Sequence, residues 1–340
     1  MLNKPNINKN IGIQILRAFL CFWVLLNHCF NAHNIKLRNY LFKYRLHVPC
    51  FILTSFYFSY KTITSRDIIK IKKRFERILI PYLVFPLIIL ILNNLFNFFL
   101  SIGIFGRYLN LNDLFYQYIF GRRFNPVFWF QLYLIWSTLL FIIISFLFKQ
   151  KFSLVIINIY FIAYFLQYSN INLKFFSKFT PSVKLSVGVF VEMLPISVTG
   201  LLIAYFNVFK LINNRIFSIY FSFISLLFII IYDLFSILDG VSFSGIVLNI
   251  GSIYLFVIFY LIPINYFRSI TFTKYILIFT NYTQGIYCMH MILKVALNRK
   301  IDLIKNGSFI GCILIYIFCY IISFLGHKLT KKTKLIYLFV

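Results

Sequence analysis

IGIQILRAFLCFWVLLNHCF, residues 11–30, is the stretch whose reading decides the fold. It has the length and apolar character of a helix that crosses a hydrocarbon core about 30 Å thick. It also carries Arg17 and His28. A charged residue at a bilayer centre costs at least ~2.5–3.5 kcal/mol, so it usually faces protein or water instead of lipid. The two residues are eleven positions apart. At about 100° and 1.5 Å per residue they return to within ~20° of one helix face, roughly 16 Å apart along the axis. One face therefore presents a fixed cation toward one membrane surface and a proton-transfer group toward the other.

The rest of the chain repeats the pattern. It is 61% hydrophobic and 12% charged, which excludes an ordinary soluble domain. Apolar runs fall at Ile11–Phe30, Leu46–Tyr60, Ile78–Leu100, Val127–Phe148, Phe152–Tyr168, Leu185–Phe206, Ile216–Leu238, Gly245–Ile264, Tyr275–Leu297 and Ser308–Leu329. The fold class expected is all-α, a polytopic integral membrane helical bundle of about ten transmembrane helices. The expectation is one domain over residues 1–340 with no appended soluble domain. The first run is too long, and too poor in small residues, for a removed signal peptide. The second is short and contains Pro49, making it the weakest of the ten.

The net charge of +27 is spread over nearly every loop, with no soluble module to organise it. Anionic lipid head groups and phosphorylated ligands fit that distribution better than nucleic acid. Lys61, Arg66, Lys70, Lys72, Lys73, Arg74 and Arg77 crowd between the second and third runs. The positive-inside rule then favours both termini in the cytoplasm, Arg17 on the cytoplasmic side and His28 toward the outer face. Cys21, Cys29, Cys50, Cys288, Cys312 and Cys319 form no CxxC pair and read as small buried hydrophobes.

Five features carry candidate chemistry. His28 suits a general base, since an imidazole ordinarily titrates near neutrality; Arg17 would clamp an anion or tether an acyl donor. The bland reading has the pair snorkelling to the two interfaces. Arg74 and Arg77 are three apart, so on a helix they share a face and could hold phosphate by bidentate hydrogen bonds. Topology alone would also make that segment basic. Trp129, within Phe128-Trp129-Phe130, reads as an aromatic belt or as a platform for a sugar ring. Glu192, inside an apolar run, should pair with a cation such as Arg17 or line a watery cavity. His290 follows Tyr287-Cys288-Met289, with Lys294 a turn beyond. A lone histidine in a bundle is more often a packing residue than a functional one. No metal-ligand spacing, P-loop, G-x-S-x-G elbow or Rossmann glycine pattern occurs, so no metal is expected.

In this order the pieces resemble the membrane-bound acyltransferase-3 family. Leu16-Arg17-Ala18 followed by His28 is similar to the family's first helix, with its spacing intact. Val48-Pro49-Cys50-Phe51-Ile52-Leu53-Thr54-Ser55-Phe56 resembles its V-P-x-F-F-x-L-S-G-F helix. Arg74, Arg77 and Ile80-Pro81-Tyr82 resemble its R-x-x-R and I-P-Y elements, Trp129-Phe130-Gln131-Leu132 its W-F-L, and Ile286-Tyr287 with His290 its late I-Y-x-x-H. Gln14, Ala18 and Thr54-Ser55 depart from the family's acidic residue, Gly and Ser-Gly.

The resemblance implies a multi-pass enzyme of the bacterial inner (plasma) membrane, an O-acetyltransferase moving acetyl from acetyl-CoA, or another acyl-CoA, to a hydroxyl. The acceptor would be an envelope glycan or lipid-linked sugar. In that scheme His28 and Arg17 are catalytic, and Arg74, Arg77 and Arg17 bind the donor. Trp129, Glu192 and His290 are candidates for the acceptor. A transporter or flippase of lipid-linked glycans is the alternative, since it too would want intramembrane charge. A glycan polymerase shares the architecture but normally has large extracytoplasmic loops.

Overall fold

Asn10 starts the first helix. Its side chain accepts from the Ile13 N–H at 3.2 Å, satisfying one of the helix's orphan donors, and donates to the Tyr260 carbonyl at 3.0 Å. The computed structural model describes residues 10–30, 46–100, 108–121, 128–168, 181–238, 245–262, 280–298 and 301–339. Every regular element among them is helical. Their order is α1 (Ile11–Cys29), α2 (His47–Ser65), α3 (Ile68–Leu100), α4 (Leu111–Phe120), α5 (Phe128–Leu147) and α6 (Phe152–Tyr168). Then follow α7 (Pro181–Tyr205), α8 (Arg215–Leu238), α9 (Gly245–Leu261), α10 (Thr283–Leu297), α11 (Asp302–Lys305) and α12 (Phe309–Thr330).

Each of the ten apolar runs carries a helix, and the fold is an all-α helical membrane protein. Val127 of the fourth run, residues 263–264 of the eighth and residues 275–279 of the ninth lie outside the described residues. Four helical segments among the described residues are long and apolar enough to cross a membrane: Ile11–Cys29, Ile68–Leu95, Phe128–Leu147 and Phe309–Thr330. Large apolar side chains also face outward, among them Phe161 and Phe165 on α6 and Phe217, Phe221 and Phe228 on α8. In water such a surface would drive association; in lipid it is solvated.

Two elements differ from expectation. The third helix begins at Ile68, well before Ile78, so the basic segment is helical and continuous with the apolar run. Asp67 starts it, its carboxylate accepting from the N–H groups of Ile69 and Lys70 at 3.0 and 3.2 Å. At 33 residues it is about 50 Å long, so its basic turns extend beyond a ~30 Å core. Helix α4 was not anticipated, because ten residues cannot span. It is held by a capping box of Asn110 and Asp113 and ended by Gly121 at φ 67°.

Helix α1 is central, packing against α2, α9, α10 and α12. One apolar cluster lies on its α2 side, around Phe56, Phe141 and Phe256. A second lies on its α10 and α12 side, around Leu25, Ile286, Cys288 and Ile315. Phe51 and Phe130 touch both and join them. All six cysteines are buried and unbridged. The chain returns after α12 in a 3₁₀ turn, Lys334–Leu338, where Lys334 pairs with Glu76 of α3. That carboxylate holds the Lys334 ammonium above its usual range.

Helices α2 and α7 pack closely because Gly200 has no side chain. A Cβ there would sit 2.5 Å from the Leu53 carbonyl oxygen, which is backbone and cannot swing away. Gly200→Ala should therefore destabilise the bundle by about 1–3 kcal/mol, the usual range for overpacking. Thermal unfolding in detergent checks this, and an unchanged midpoint would mean that α2 and α7 separate freely.

Candidate functional site

The shared face of Arg17 and His28 turns toward one partner, α10. An Arg17 guanidinium nitrogen donates to the Thr283 hydroxyl at 3.2 Å. One turn on, the Cys21 thiol donates to the Thr283 carbonyl at 3.5 Å. Further along, the His28 ring lies 5.4 Å from the His290 ring, and the Lys294 ammonium donates to the His28 carbonyl. Contacts on both helices advance together, so α1 and α10 run parallel and in register. Arg17 and His28 mark two ends of one seam.

The arginine end gathers residues that the sequence left dispersed. Arg74 reaches inward between α2 and α5, donating to the hydroxyls of Ser55 at 3.3 Å and Thr138 at 3.2 Å. Its guanidinium lies 5.5 Å from the Phe56 ring centre. Arg77 is exposed, over Tyr337 of the returning C-terminal turn at 5.9 Å, and within Coulombic range of both Arg17 and Arg74. No carboxylate among the described residues pairs with any of the three. With Arg77 near both other guanidinium groups and no described carboxylate paired to any of the three, this end of the seam favours an anion, and guanidinium forks match phosphate oxygens.

Between the two ends, α5 closes the seam. The Gln131 amide donates to Cys288 at 3.2 Å, and the Phe130 ring lies 5.6 Å from Tyr287. The arginine element, the W-F element and the late histidine element thus assemble around α1. An acyltransferase-3 family description, an acyltransferase domain, matches residues 10–331. The chain belongs to this family. No curated protein and no solved structure matches it.

In this membrane acyltransferase the remaining expected residues fall as follows. Trp129 is half-buried at the start of α5, edge-on to Phe130 at 6.2 Å, its backbone against Gly121. Glu192 lies on an exposed face of α7. The pairing considered for it with Arg17 is replaced by Thr283, because α1 packs on α10 while α7 packs on α2 and α6. His290 is 1% exposed, in the seam itself. No group of His, Cys, Asp or Glu among the described residues could hold a metal ion.

Sequence reasoning missed two polar residues of the seam's surroundings. Thr283 is an ordinary helix-start hydroxyl, with nothing in its neighbours to mark it. His47 is buried at the start of α2, its Nδ1 3.2 Å from the Asn27 side-chain nitrogen. Its place directly before Val48-Pro49 was the available signal.

Proposed function

We propose that this acyltransferase transfers an acetyl group from acetyl-CoA to a hydroxyl of a cell-envelope glycan or lipid-linked sugar. One observation carries the reading: Arg17 and His28 face the same helix, α10, at two ends of a parallel seam. Arg74, Arg77 and Arg17 hold the phosphates of the donor. Its long thin pantetheine arm then spans the roughly 16 Å that separates eleven helical residues, bringing the thioester toward His28. His28 takes the hydroxyl proton as oxygen attacks the thioester carbonyl. Trp129 and His290 stand on the acceptor side of this scheme, and anionic lipids meet the basic turns of α3.

The test is transfer of radiolabelled acetyl from acetyl-CoA in membranes carrying the protein, with mass spectrometry of surface glycans with and without the gene. Label on a glycan is expected. Membranes that move glycan but ignore acetyl-CoA would overturn the reading in favour of a flippase.

The orientation that goes with this reading puts the arginine end in the cytoplasm of a bacterial inner membrane, with both termini inside. Reporter fusions after Leu100 and after Tyr168 should read extracytoplasmic; fusions within Lys61–Arg77 and at the C-terminus should read cytoplasmic. A cytoplasmic signal after Leu100 would contradict this topology at its third helix.

A further inference from the structure

His290 has an unused atom. Its Nδ1 lies 3.3 Å from the Ile286 carbonyl one turn back on α10. A carbonyl only accepts, so Nδ1 carries its proton, and in the neutral ring Nε2 is left as a bare acceptor. That Nε2 is buried and has no partner. A buried acceptor without a donor is unfavourable, and position decides which donor can reach it. The ring is sealed within the second apolar cluster, and the neighbouring imidazole is that of His28, centroid to centroid 5.4 Å and tilted by 37°. Two imidazoles sharing one N–H···N bond of about 3 Å sit at much this spacing. Lys294, one turn past His290, donates to the His28 carbonyl and fixes the last turn of α1 beside it.

We propose that His290 is the positioning residue for His28, its Nε2 accepting the His28 ring N–H so that the other His28 nitrogen faces the acceptor hydroxyl. The inference rests on the acyl-transfer reading for its role, not for its geometry. His28 is half-buried and reachable, whereas His290 is sealed behind it. In the reaction the hydroxyl O–H breaks and its proton passes to the outward His28 nitrogen. The oxygen–carbon bond forms and the carbon–sulfur bond breaks. The coenzyme leaves as thiolate and takes back the proton, giving an ester and a free thiol. His28 is an imidazolium in between, and its inner N–H, bonded to His290, shares that charge. The logic is that of a base oriented by a third group, with an imidazole in the orienting place.

The experiment compares wild-type membranes with His290→Phe, which keeps a ring of similar bulk but no acceptor, and His290→Gln, which restores an acceptor oxygen. Diethylpyrocarbonate modification at fixed neutral pH, read at the His28 peptide by mass spectrometry, requires no enzymatic activity. Loss of an orienting partner should slow His28 modification about 10-fold in His290→Phe, with recovery in His290→Gln. Acetylation kcat should fall about 10²-fold in His290→Phe, with KM for acetyl-CoA unchanged. Equal His28 modification rates in all three proteins would overturn the pairing. Wild-type membranes that ignore acetyl-CoA would instead overturn the proposed function, while the modification series would still decide the pairing.

Discussion

His28→Ala should reduce glycan acetylation by about 10²–10⁴-fold, the range that a positioned general base supplies. The variant should insert and accumulate like the wild type, for a reason specific to this seam. One tie between α1 and α10 near His28 is its backbone carbonyl, which receives the Lys294 ammonium and survives the substitution. The side chain lost is half-buried, and the neighbouring core residues Leu25 and Cys29 are untouched. Activity is read as acetyl on surface glycans and as label transferred in vesicles, with abundance measured alongside. Full acetylation by a well-expressed His28→Ala protein would remove His28 from the chemistry and leave it a helix-end residue.

The second large effect is expected at the arginine end, where the structure separates two residues that look equivalent in sequence. Hydrogen bonds to charged groups contribute about 1.5–3 kcal/mol each, equivalent to about 10- to 100-fold in donor affinity. Arg77 is exposed and its nearest described ring is Tyr337. Arg77→Lys should therefore raise the apparent KM for acetyl-CoA while leaving thermal stability unchanged. Arg74 is held inside the bundle by Ser55 and Thr138. Arg74→Lys loses the planar fork, so KM should rise and the melting temperature should fall. Alanine at both positions should abolish donor use. Orientation should persist, because Lys61, Arg66, Lys70, Lys72 and Lys73 remain to keep that end inside. Acetyl-CoA dependence in inverted vesicles, run beside a topology reporter, measures both. Wild-type donor affinity in the double alanine protein would make these arginines topological anchors only.

The helices were legible because a bilayer imposes a length and a composition on anything that crosses it, and both can be read residue by residue. That is why α5 and α6 fall within a residue or so of their apolar runs. The start of α3 was not legible by that criterion. Ile68–Arg77 is helical through the Asp67 cap and its helix-forming Lys and Arg residues, whose charge holds the segment's hydropathy below that of a span. Helix α4 escaped for the same reason: its stability comes from Asn110 and Asp113, a capping box too short to register as a span.

For the site, the sequence by itself determined that Arg17 and His28 share a face, since helical periodicity is local and eleven residues bring the chain round to the same side. The three-residue spacing of Arg74 and Arg77 gave them a shared face only if their segment is helical; that it is helical came from the structure. Only the tertiary structure decided what that face meets. Thr283 and Lys294 lie 266 residues from Arg17 and His28 respectively, and no local rule reaches across such a separation. Only the packed bundle could direct Arg74 inward and Arg77 outward, because two residues three apart differ only in which neighbouring helix lies beside each. The partner of Arg17 followed the same way: α1 lies on α10, whereas α7, with Glu192, lies on α2 and α6. Helix periodicity fixes the direction in which a side chain leaves its own axis; helix packing fixes what stands there to receive it.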